Sequence, residues 1–146
     1  MKTIEIEAIL PDAPGLLSLK GPSEAEGYRF VARLLADARS GDNRFDRPGE
    51  VFLGAFADGR LVGCGGLNVD PYATASIGRV RHVYVAAEAR RRGVASRLVQ
   101  RLLDRGFKHF PEIRLRVSDA RAASFYEAIG FQKIENRAAT HTLRRP

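Results

Sequence analysis

The residue types with most chemical potential lie at positions 90 to 96, Arg90-Arg91-Arg92-Gly93-Val94-Ala95-Ser96. An apolar alternation through Val80, Val83 and Val85 runs up to them. Beyond them Val94, Leu98, Val99, Leu102, Leu103, Gly106 and Phe107 recur with helical spacing. The spacing predicts a turn into a helix N-terminus. The first four N–H groups of a helix have no partner within it and carry the positive end of the dipole, so an anion fits there. Gly93 lets the backbone approach a bulky diphosphate, Ala95 keeps the next turn low, and three arginines add forked donors suited to phosphate oxygens. A basic, solvated helix cap has the same spacing, and both readings stand on these residues alone.

Other reactive types are sparse. The lone Cys64 excludes an internal disulfide and, within Gly63-Cys64-Gly65-Gly66, reads as a small core residue. Histidines at 82, 109 and 141 have no metal-ligand spacing, so no metal is expected. Glu24, Glu26, Asp42 and Asp46 could hold a cationic amine, though acidic residues at a helix start or in a loop are usually solvated surface.

The elements that must position these groups follow from periodicity. Thr3 to Ile9 alternates as a half-buried strand. Pro11, Pro14, Gly15 and Gly21-Pro22 then predict a loop, and Ser23 with Glu26 predicts a capped helix from 23 to about 39. The stretch from Ser40 to Gly49 reads as a surface loop. Asp58-Gly59 joins strands 50–57 and 60–69 as a type I′ hairpin, and the glycines of the second arm call for a bulge or a close backbone approach. Strands are expected at 77–85, 113–117, 131–135 and 139–144. A short helix capped by Ser118 or Asp119 carries Ala122, Phe125, Tyr126 and Ile129 and ends at Gly130. The order β-α-β-β-β-α-β-α-β-β describes one mixed sheet with helices packed on it.

With 146 residues, 45% hydrophobic and 28% charged, the chain has the make-up of one globular domain. No apolar run reaches membrane-spanning length, and MKTIEIEAIL lacks the apolar core of a secretion signal. A cytoplasmic location and no membrane partner are therefore expected. The net charge of +7 admits phosphorylated ligands, nucleic acid or plain solubility. No zinc-finger spacing or aromatic-rich basic stretch supports nucleic acid, which is not an expected partner.

This element order and two motifs resemble the GNAT superfamily of acetyl-CoA-dependent N-acetyltransferases. The family's pyrophosphate motif, Gln or Arg, two residues, Gly, one residue, Gly or Ala, is matched by Arg90, Gly93 and Ala95, after the strand Arg81-His82-Val83-Tyr84-Val85. Its later signature, Tyr, three residues, then Gly-Phe, is matched by Tyr126 and Gly130-Phe131. The resemblance covers residues 50 to 135 well and the N-terminal third by element order. It implies an α/β (α+β) single domain over 1–146, with a mostly antiparallel sheet whose central strands splay apart.

It further implies that acetyl-CoA is the cosubstrate. The backbone of Val83, Tyr84 and Val85 would pair with the pantetheine arm, an N–H near Val83 would polarise the thioester, and the amides from Arg91 to Ser96 would hold the pyrophosphate. Tyr126 would be the general acid for the departing thiolate; outside the motif it would read as a core aromatic beside Phe125. Three departures stand out. Asp119 occupies a position often Asn, Arg79 stands where many members carry a glutamate base, and Arg92 exceeds what the motif needs. His82 is the nearest alternative base, against a structural role, and a bound water or an already neutral amine would also serve.

The resulting expectation is acetyl transfer to a primary amine, small-molecule or peptide, by direct attack in a ternary complex. The missing glutamate keeps open a non-catalytic acyl-CoA-binding module of the same fold. The last strand, if it lies at the sheet edge, admits a homodimer.

Overall fold

The computed structural model describes residues 3–146. Residues 1 and 2, part of the N-terminal stretch read above, lie outside them. Seven strands form one sheet in the order β1-β2-β3-β4-β5-β7-β6. They are β1 (Ile4–Ala8), β2 (Val51–Ala57), β3 (Arg60–Val69), β4 (Gly78–Val85), β5 (Glu112–Leu115), β6 (Gln132–Lys133) and β7 (His141–Arg144). All neighbours pair antiparallel except β4 and β5, which are parallel. The parallel pair needs a crossover, which α3 (Val94–Gly106) supplies.

Helices cover both faces, which is why β2 and β3 are buried almost continuously instead of alternating. On one face α3 buries Leu98, Val99 and Leu102 against Val62, Leu67, Val80 and Val85. Each of these α3 side chains contributes about 1.5–3 kcal/mol by leaving water. The short helix α4 (Ala120–Ile129) adds Tyr126 and Phe125 to the same cluster. On the other face, α1 (Leu17–Ala25) and α2 (Phe30–Ser40) bring Leu19, Val31, Leu34 and Leu35 onto Phe52, Leu61, Cys64 and Tyr84.

Several expectations hold. Asp58 (φ 50°) and Gly59 (φ 78°) both take the left-handed conformation that a type I′ hairpin needs. Gly41 (φ 84°) ends α2. Asp119 caps α4 by accepting from the Ala122 N–H at 2.8 Å.

The N-terminal helical segment departs from the sequence reading. In place of a loop and one helix capped by Ser23, Leu17–Ala25 is already helical, led by a 3₁₀ turn at Pro14–Leu16, with Pro22 inside it. Ser23 is buried within α1, and its Oγ donates to Lys20 O at 3.0 Å. Burial of Leu16 and Leu19 against the sheet outweighs the breaking tendency of Gly21-Pro22. Gly27 (φ 93°) then separates α1 from α2.

The C-terminal end is also rearranged. β7 lies between β5 and β6 and not at the sheet edge, because its N-terminal half pairs with Gln132 and Lys133. The edge that the chain leaves beyond β7 is only two residues long.

Candidate active site

β4 carries the feature on which the site depends. Cys64 pairs with Tyr84 and Gly66 with Arg81, so a single residue of β3 faces two of β4, His82 and Val83. This is a β-bulge on β4, with His82 in the left-handed region at φ 60°. The Cys64 thiol donates to the His82 carbonyl at 3.3 Å. Cys64 is wholly buried, burial pushes its thiol up to about 12, and it therefore serves the bulge and not nucleophilic chemistry.

The bulge coincides with a splay. β4 and β5 pair only at Gly78–Ile113 and Arg79–Arg114, which leaves β4 from Val80 to Val85 with no strand on that side. A cavity of about 840 Å³ opens in the gap. It brings together Val83, Tyr84 and Val85 of β4, Arg90, Arg91 and Gly93–Ser96 of the following loop and helix, and Asp119 and Tyr126 of α4. His82 lines it too; Arg92 is not among its walls.

The loop reaches the cavity through two left-handed residues, Arg91 at φ 63° and Gly93 at φ 73°. Nothing lies within 4 Å of where a Cβ on Gly93 would stand, so the space in front of this backbone is open. α3 starts from Gly93 without a side-chain cap. The amide groups of its first turn thus keep their unmatched donors and the positive end of the dipole.

The side chain of Arg90 is differently employed. Its Nη1 and Nη2 donate to the two carboxylate oxygens of Glu26 at 2.8 Å each, and its Nε donates to Val85 O at 2.9 Å. Tyr84 also donates its hydroxyl to Glu26, and the Arg90 guanidinium lies over the Tyr84 ring at 5.7 Å. The hydrogen bond from Arg90, then that from Tyr84, holds the Glu26 carboxyl below its ordinary range. Burial first, and Glu26 second, push the Tyr84 phenol up to about 12. Arg90 thus fastens the end of α1 to the loop, and its fork is occupied by a carboxylate.

Tyr126 is 8% exposed, packed edge-on against Phe125 and Phe131. Burial raises its phenol well above the ordinary range, so it stays protonated and available as a donor. His82 stacks on Phe30 with centroids 5.6 Å apart and meets Phe45 edge-on. Burial first, then Arg81 and Arg33, depresses its imidazole to about 3. It is neutral at any working pH and a weak base.

Other contacts at the site had no local signal in the sequence. Glu26 meets Arg90 across 64 positions. Arg79 is buried, donates from Nη2 to Ala138 O at 2.7 Å and has Asp70 at 3.6 Å from Nη1. Arg81 lines the cavity beside Phe30 and Tyr28. The periodicity of strand 77–85 places such residues on a strand, but only the bulge decides which face each takes.

A splayed parallel pair, a bulge beside it and an uncapped helix start define a mixed α/β domain with a cleft suited to an anion. The family model for the acetyltransferase (GNAT) family matches residues 21–131, and the chain belongs to that family. The chain is similar over 97% of its length to a candidate acetyltransferase of Exiguobacterium sp. 255-15, of which it covers 93%, with 31% identity and a TM-score of 0.85. It also resembles the PaiA N-acetyltransferase of Thermoplasma acidophilum in complex with coenzyme A. There the identity is 22% and the TM-score 0.71, with 98% of this chain and 99% of that one covered. An acetyltransferase of Thermus thermophilus matches at 17% identity and a TM-score of 0.76, over 98% of this chain and 97% of that one. No curated protein matches the sequence. Among the described residues no helix is long and apolar enough to cross a membrane.

Proposed function

We propose that residues 1–146 act as one domain that transfers the acetyl group of acetyl-CoA to a primary amine, by direct attack in a ternary complex. The observation that carries this reading is the cavity in which the uncapped start of α3, the unpaired edge of β4 and Tyr126 meet. The amides from Arg91 to Ser96 hold the pyrophosphate, and the backbone from Val83 to Val85 pairs with the pantetheine arm as a strand would. Acetyl-CoA supplies the activated acetyl group.

The amine lone pair forms the C–N bond at the carbonyl carbon while an N–H near Val83 stabilises the developing oxyanion. The C–S bond then breaks, and Tyr126 donates a hydrogen bond to the departing thiolate. Because its phenol is held above the ordinary value of about 10, against about 8.5 for a thiol, the neutral donor is its resting form. The proton lost by the amine passes to water. The two carboxylates that line the cavity are committed, Glu26 to Arg90 and Asp119 to the cap of α4. Burial, and after it Arg81 and Arg33, keep His82 neutral, and the same surroundings favour the neutral form of a bound amine. A cytoplasmic setting, where a free thiol such as Cys64 persists reduced, belongs to the same proposal.

Arg79 at the place of the usual glutamate favours a second reading, a module that binds acyl-CoA without turnover. Calorimetric titration with acetyl-CoA and CoA, followed by thiol release against a panel of amines, separates the two. Binding with amine-dependent thiol release supports the transferase, and binding with none supports the module. Absence of binding to either ligand removes both.

A further inference from the structure

The inference rests on the transferase reading and concerns its acceptor. Because of the bulge, Arg79, Arg81 and His82 belong to the face of β4 that α2 covers: His82 stacks on Phe30 of α2, and Gly66, the partner of Arg81, faces Phe45 and Phe52 on that side. Arg81 lines the cavity, half-buried. Its guanidinium forms no hydrogen bond or ion pair with a described residue; burial acts on it most, then Arg79, and after it Tyr72, Asp37 and Arg33.

The charges around it do not balance. Asp70 faces Arg79, and Asp37 acts on Arg81 without an ion pair to it, so the three arginines Arg33, Arg79 and Arg81 stand against two carboxylates. Arg81, which lines the cavity, has no carboxylate of a described residue at ion-pair distance. Arg79 adds a second demand, because its buried Nη1 has no hydrogen-bond partner. A half-buried guanidinium without an acceptor carries a desolvation cost that a bound oxyanion relieves, and its planar fork matches a carboxylate. One excess charge suits a monoanion. Arg81 lies two residues before Val83 on β4, across the bulge.

We propose that the acceptor is a primary amine that carries a carboxylate, held by Arg81, and that cationic polyamines are disfavoured. With Glu26 and Asp119 committed elsewhere, the cavity walls offer no free carboxylate to a second ammonium.

The test measures thiol release from acetyl-CoA with small amino acids, their amides and spermidine, using the native chain, Arg81→Gln, Arg81→Lys and Arg33→Gln. The free carboxylates are expected to exceed their amides about 10- to 100-fold in kcat/KM, the value of a charge-assisted hydrogen bond. Arg81→Gln should erase that preference through KM and leave CoA affinity intact, with partial recovery in Arg81→Lys. Arg33→Gln, on the exposed face of α2, should lower it by a smaller factor. Amides or spermidine turned over as well as the acids, or a preference unchanged in both Gln variants, overturns the inference and leaves the transferase standing. If no amine is turned over, calorimetry of the amino acids on the CoA complex decides. Binding weakened by Arg81→Gln retains the anion site without the transfer reaction, and no binding removes both.

Discussion

The two sides of the cavity are built in different ways. On the α3 side the groups are backbone amides, and they follow one another along residues 83 to 96. On the α2 side they are side chains from distant segments: Glu26, Phe30, Arg79 and Arg81. Backbone donors are fixed by chain conformation and tolerate many side chains, provided that nothing intrudes in front of them. Side-chain clusters depend on each member, because their geometry exists only when several elements have packed. The first side is therefore suited to what every member of such a family shares, and the second to what sets one member apart.

The strongest way to break this contrast is to put a charge on the backbone side. Gly93→Glu introduces a carboxylate before the start of α3 at a residue with φ 73°. The backbone strain alone costs on the order of 1 kcal/mol, and the carboxylate competes for the anion's place. CoA affinity by calorimetry should fall more than about 100-fold, whereas Gly93→Ala, with open space for its Cβ, should lose no more than about tenfold. Equal binding by the native and Glu chains would show that the helix start is not the cradle. Next in size is Tyr126→Phe. With CoA affinity nearly unchanged, kcat should fall about 100-fold. An undiminished kcat would return Tyr126 to a purely packing role against Phe125 and Phe131.

The same contrast explains what the sequence could reveal. The turn into α3, the cap at Asp119 and the Tyr126 to Phe131 signature are contiguous, so local rules reach them. The hairpin at Asp58-Gly59 is legible for the same reason. The helical register of residues 17 to 25 is not, because Leu16 and Leu19 are helical only by virtue of the sheet surface they cover, and Pro22 argues locally against it. The Glu26–Arg90 fork has no local correlate at all. Arg79 and Arg81 are visible as strand residues, but a one-residue bulge changes the face of everything beyond it. The glycines of β3 hint at such a feature without saying that the extra residue sits on β4. Glu26 itself reads as half of a capping box with Ser23, a pairing lost once Ser23 lies inside α1.

Gly66 tests the α2 side through packing. An added Cβ would stand 2.5 Å from Phe45 Cε1 and 3.0 Å from Phe52 Cδ2, so the ring that supports His82 must move. Gly66→Ala should destabilise the fold by about 1–3 kcal/mol, read as a lowered midpoint in thermal or urea unfolding. CoA affinity of the folded fraction should change little, since the backbone side is untouched. An equal loss on both sides would mean that the two halves are mechanically one.

The smallest expected effect joins the halves. Glu26 is held by Arg90 and Tyr84, and its carboxyl sits below its ordinary value in the folded chain. A depressed carboxyl contributes stability above its unfolded pKa, and that contribution is lost as pH falls through the lower folded value. With the Arg90 and Glu26 side chains 41% and 33% exposed, solvent screens the pair, and Glu26→Gln should cost below about 1 kcal/mol at neutral pH. The difference between native and variant should shrink as pH falls below the ordinary carboxylate range, measured by urea unfolding from pH 7 to 3. Because Arg90 also donates to Val85 O, the loop keeps one of its ties, and CoA affinity should drop only a few-fold. A fall as large as that of Gly93→Glu would place α1 within the backbone side, for the cradle would then depend on a side chain 64 positions away.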